Sequence, residues 1–163
     1  MCLTISSPAF FNGATMPEKY TGDGENISPP LRWRGLPEGT QELAIVCEDP
    51  DASCEEASVH WLVYKIPPDL EELPEHLPLE PSAEMPIRVL QGRHSGLKGP
   101  KVGYQGPEHL KHRETHHYRF KLYALSTKLD LAPGADRAAL DAAMSGHVLA
   151  ESELVGTSQR ATV

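Results

Sequence analysis

With 163 residues, 39% of them hydrophobic and 23% charged, the chain is long enough to bury a sizeable core and reads as a single domain spanning residues 1–163. Its 15 basic and 23 acidic residues give a net charge of −8, which argues against duplex nucleic acid or an anionic membrane surface as the main partner, because neutralising phosphates needs a basic face. The 15 prolines and 13 glycines point away from a helical protein and toward turns and short strands.

The opening, "MCLTISSPAFFNG", has no basic stretch followed by an apolar run, so no secretory signal is expected. No segment approaches the roughly 18 apolar residues of a spanning helix. Cys2, Cys47 and Cys54 are too few and too irregular for a disulfide framework. Reduced thiols in a cytoplasm follow, with Cys47 in "LAIVCE" packing as a small hydrophobe. Residues 1–36 read as extended pieces broken by turns, the clearest being "YTGDGENISPPLRW". "ELAIVCE", Glu42 to Glu48, is a short apolar run between turns, the pattern of a strand buried on both faces. It ends at the turn "DPDAS". "VHWLVYKIPP" is the next strand, with His60 on the face of Leu62 and Tyr64, stopped by Pro67-Pro68.

Residues 69–85 are acidic and proline-rich and read as a surface connection. "YRFKLYAL" resumes a strand, placing His116, Tyr118, Phe120 and Leu122 on one face. Near the end, Leu140, Ala143 and Met144 fall at helical spacing behind Asp136, a candidate N-cap. Gly146 is a candidate break, with a second helical piece expected over 148–154. Strands first and helices last predict a mainly β, β-rich α+β domain, antiparallel, with C-terminal helical elements.

Four of the eight histidines, His109, His112, His116 and His117, crowd into "GPEHLKHRETHHYRF". Metal binding is the first reading to weigh. "HRETH" is not H-E-x-x-H, and the strand period that follows keeps the i,i+4 rings apart, so no metal site is expected. His109, His112 and His117 read as solvated, as do His76, His94 and His147. His116 and His60 differ, because each opens an apolar strand after a loop. Asp49 and Asp51 end the strand before His60. A carboxylate beside imidazoles orients them and favours their charged form. Such a group, with Tyr118 and backbone N–H donors from a glycine-containing turn, suits a small oxyanion.

The motifs "YTGDGENISPPLRW", "CEDPDAS", "VHWLVYKIP", "GYQGP", "HHYRFKLYAL" and "MSGHVLAESELVGT", in this order over roughly residues 3–157, resemble the phosphatidylethanolamine-binding protein family. The likeness is to its bacterial and archaeal branch, the Raf-kinase-inhibitor-like proteins. The resemblance implies a large central antiparallel sheet packed on a smaller one, with C-terminal helical elements and an anion pocket at one end. It implies a phosphate or phospholipid head group as ligand, with no cofactor or metal. It also implies a protein partner such as a kinase or protease, and a homodimer. The family's pocket motifs fall on Asp49 and Asp51, on His60, on Gly106 and Pro107 as a wall, and on His116 and Tyr118. Three positions depart from the family pattern: Ser53 for the usual proline, His117 for arginine, and Gly22 where many prokaryotic relatives have cysteine.

A non-enzymatic binding module is therefore expected. The alternatives are an acid–base hydrolase using Asp49, His60 and His116, and a scaffold whose pocket is vestigial. No serine or cysteine stands on a G-x-S-x-G elbow, which argues against a nucleophilic triad.

Overall fold

The structure, a computed structural model, describes residues 2–21, 24–49, 58–84, 87–94, 101–106 and 116–158. Its strands are β1 (Thr4–Ser6), β2 (Leu31–Arg34), β3 (Glu42–Asp49), β4 (Ser58–Ile66), β5 (Glu72–Leu73), β6 (Ser82–Ala83), β7 (Val89–Gln91), β8 (Arg93–His94), β9 (Lys101–Val102), β10 (His116–Leu125) and β11 (Val148–Ser158). One α-helix, α1 (Arg137–Met144), precedes β11. A six-stranded sheet runs β11-β10-β3-β4-β7-β6, a three-stranded sheet runs β1-β2-β5, and β8 pairs with β9. Every strand pair is antiparallel.

The central position of β3 explains its composition. All eight of its residues are buried, with β10 on one side and β4 on the other. Leu43, Ile45 and Cys47 join Ile5, Leu31, Trp33 and Leu73 of the small sheet in the main core, together with Trp61 and Phe120. Ala44 and Val46 face the opposite way and pack with Leu62, Tyr64, Leu140 and Met144. The large sheet is thus covered by the small sheet on one face and by α1 on the other. Burying a Leu, Ile or Phe side chain contributes roughly 1.5–3 kcal/mol, so these two clusters dominate the driving force.

Helix α1 begins where its cap was predicted, with the Ala139 N–H donating to Asp136 Oδ1 at 2.8 Å. Gly146, at φ +81°, turns the chain out of the helix. The second helical piece expected over 148–154 is instead the first part of strand β11, paired with β10 except for a bulge at Leu149. Alternation wins there: Leu154, Gly156 and Ser158 point inward and exposed or half-buried residues lie between them. Residues 69–84 are more than a surface connection, because Leu73, Leu77 and Ala83 enter the core.

Strand β4 carries two bulges. Trp61 lies opposite Cys47 and Val59 opposite Glu48, which leaves His60 as the extra residue. Farther on, Tyr64 and Lys65 together span Ala44, with Lys65 at φ +53°.

Candidate functional site

The site lies at the end of the large sheet where β3 finishes and β10 begins. Asp49 is two residues beyond Cys47, so strand parity aims it to the same face as the main core. Tyr118 shares the inward face of β10 with Phe120 and Leu122, and His116 opens that face. Within this frame His116 Nδ1 donates to Asp49 Oδ2 at 2.7 Å; the carboxylate side chain is 2% exposed and the imidazole 23%. A buried carboxylate needs partners, and this contact fixes the ring's orientation and tautomer.

His60 corrects the sequence expectation. Strict alternation puts its ring on the α1 side with Leu62 and Tyr64, but the bulge turns it to the other face. There it meets Tyr118 edge-on, with ring centroids 5.0 Å apart and planes at 87°. Tyr118 also stacks on His116, at 6.4 Å and 27°, so it touches both imidazoles. His60 Nδ1 lies 2.6 Å from the Gln105 carbonyl oxygen. A carbonyl only accepts, so Nδ1 carries the proton and Nε2 sits at the opposite edge of the ring.

The wall of the site is the strip Tyr104–Gln105–Gly106. The Gln105 N–H donates back to the His60 carbonyl at 2.9 Å. Tyr104 is buried against Trp61, and its hydroxyl donates to the Tyr20 carbonyl at 2.6 Å. Burial pushes the Tyr104 hydroxyl well above the ordinary tyrosine range, as it does the Cys47 thiol, so both stay neutral. The Gly106 N–H donates to Asn26 Oδ1 at 2.8 Å.

The structure therefore brings together Asp49, His60, Gly106, His116 and Tyr118, five of the positions selected from sequence. Asp51 and Pro107 lie outside the described residues, as do His109 and His112. His117 is exposed as expected, whereas His94 is buried rather than solvated. Tyr20, Asn26, Tyr104 and Gln105 were not selected. The stretches "YTGDGEN" and "GYQGP" drew attention to the turns, but not to their contact across 80 residues. Among the described residues, no three His, Cys, Asp or Glu side chains gather as metal ligands.

An antiparallel sandwich with a buried carboxylate–imidazole pair at one end of its larger sheet defines the class. The chain belongs to the phosphatidylethanolamine-binding protein family, whose model matches residues 6–159. It is 42% identical over 160 residues to a UPF0098 protein of Pyrococcus horikoshii, covering 98% of this chain and 78% of that one. It is likewise 42% identical over 159 residues to a UPF0098 protein of Methanothermobacter thermautotrophicus, covering 97% and 99% of the two chains. The crystal structure of a phosphatidylethanolamine-binding protein homologue from Chlamydia trachomatis superposes with a TM-score of 0.84 at 31% identity, covering 98% of this chain and 99% of that one. Escherichia coli YbcL gives a TM-score of 0.85 at 27% identity, covering 99% and 100%. No helix among the described residues is long and apolar enough to cross a membrane.

Proposed function

We propose that the chain is a binding protein, not an enzyme, and that it holds a small oxyanion, phosphate or the phosphate of a lipid head group, against His60, His116 and Tyr118. The single observation that carries this reading is the 2.7 Å contact between His116 and the buried Asp49 carboxylate. That contact holds the His116 ring in one orientation at the end of the sheet, as a preorganised donor for an oxyanion requires. The family's description names a phosphate-containing lipid, which supports the ligand class. Cys2 and Cys47, neither in a disulfide, fit a reducing cytoplasm. The family resemblance extends the reading to a protein partner such as a kinase or protease, and to a homodimer.

The test is an NMR titration of the histidine side-chain signals with inorganic phosphate and, separately, phosphoethanolamine. Saturable shifts at His60 and His116 are expected. His116→Ala should abolish the response, and an unchanged titration in that variant would sink the reading. Turnover of a phosphoester that disappears in Asp49→Asn would replace it with the acid–base hydrolase.

A further inference from the structure

The pocket histidine His60 makes its Nδ1 contact not with a side chain but with a backbone carbonyl, that of Gln105, in an extended strip. A carbonyl can fix a tautomer only if its own peptide is held. What holds it comes from a distant part of the chain, Glu18–Tyr20 and the turn after it. The 3-10 turn Glu18–Tyr20 leads into a tight loop in which the Thr21 N–H donates to Glu18 O at 2.9 Å and the Ile27 N–H to Lys19 O at 3.2 Å. Asn26, in this loop, adopts φ +57°, the left-handed region that asparagine tolerates better than most residues. In that conformation its Oδ1 accepts the Gly106 N–H, while the Tyr20 carbonyl accepts the Tyr104 hydroxyl. The peptide between them, that of Gln105, is pinned on one side by this loop and on the other by His60.

We infer that Asn26 is a positioning residue for the pocket: by holding Gly106 it aims the Gln105 carbonyl at His60 Nδ1 and so presents the Nε2 edge of that ring to the ligand. The inference rests on the binding reading for its consequence, but its structural content, one fixed tautomer of His60, stands apart from any ligand. Asparagine combines the two required properties, a tolerated left-handed backbone and a short side-chain acceptor. Glycine supplies the first alone. Aspartate supplies both but adds a charge.

The experiment compares the full chain with Asn26→Gly and Asn26→Asp, reading the His60 tautomer from its ring ¹⁵N shifts and phosphate affinity from titration. In the wild type at high pH, His60 is expected to show the Nδ1–H form alone. Asn26→Gly keeps the backbone conformation and loses the acceptor. It should give a mixture of tautomers and weaken phosphate binding roughly fivefold, the effect of about one hydrogen bond. Asn26→Asp should restore the single tautomer; its charge opposes an anion, so rescue is judged on the ring signal. A single Nδ1–H tautomer in Asn26→Gly, or a mixture in Asn26→Asp equal to that of Asn26→Gly, overturns the assignment. Absence of phosphate binding in the wild type overturns the binding reading and leaves the tautomer comparison to decide the role of Asn26.

Discussion

Gly106→Ala probes the contact on which the pocket wall depends. Gly106 is a glycine because of a close approach. A methyl group there would sit 2.2 Å from the Tyr20 carbonyl oxygen, 2.8 Å from Asn26 Oδ1 and 3.1 Å from Thr21 Cα, where 3.4 Å is ordinary contact, so roughly 1.2 Å must be found. The nearest obstacle is backbone, which cannot swing aside as a long side chain can. Separating the two segments that far stretches the 2.8 Å Gly106–Asn26 bond and the 2.6 Å Tyr104–Tyr20 bond beyond useful length. Two such bonds at about 1 kcal/mol each, with overpacking of about 1 kcal/mol, sum to about 3 kcal/mol. For a chain of this size that lowers Tm by roughly 6–12 °C. The assay is thermal unfolding followed by far-UV circular dichroism, with the His60 ring signals as a local report. A variant within about 0.5 kcal/mol of wild type, the range of a neutral surface change, would refute the contact.

Three further outcomes follow from the structure. Glu48 is pushed up by burial, but hydrogen bonds from Lys121 at 2.7 Å and Arg137 at 2.6 Å outweigh this and hold its carboxyl below the ordinary value of 4.5. A depressed carboxyl contributes stability that is present above its unfolded pKa and lost as pH falls through the folded one. Glu48→Gln should therefore lower stability by about 2 kcal/mol at neutral pH and flatten the acid limb of a stability–pH curve below about pH 4.5; parallel acid limbs in denaturant titrations would contradict the cluster. Burial pushes the Cys47 thiol well up, with the Glu48 and Asp49 charges adding to it, so peptide mapping should find Cys47 unalkylated by iodoacetamide until global unfolding while exposed Cys2 reacts. Asp136→Ala removes the α1 cap and should cost about 1 kcal/mol in urea unfolding, and an unchanged midpoint would show the cap to be dispensable.

Much of the fold was legible because it follows from strand periodicity. The apolar run Glu42–Glu48 between two turns reads as a strand buried on both faces, and it lies between β4 and β10. His116 and Tyr118 were selected together by the period of two, and they do share a face. The strand β11 was misread because "VLAESEL" is rich in helix formers. Pairing with β10 through ten residue pairs overrides that local preference. The support of the pocket wall was not legible for a different reason. Asn26 and Gly106 are 80 residues apart, and nothing local to either announces the hydrogen bond between them.

His60 shows where periodicity stops being a guide to a site. In a strand without irregularity, counting back from Trp61 would turn Val59 toward Tyr118 and send the imidazole to the α1 side among Leu62 and Tyr64, where an ionisable ring would need partners in an apolar cluster. The bulge adds one residue to β4 against β3 at Cys47/Glu48. Val59 then packs toward the α1 cluster and the imidazole joins the face that already holds Asp49, His116 and Tyr118. The His60 carbonyl, like that of Leu62, faces away from β3, and it accepts the Gln105 N–H. One inserted residue therefore aims the ring at the edge where the Gln105 carbonyl meets its Nδ1. Bulges commonly re-aim side chains at functional positions, and this one brings His60 to the face on which ordinary strand parity places Asp49, His116 and Tyr118.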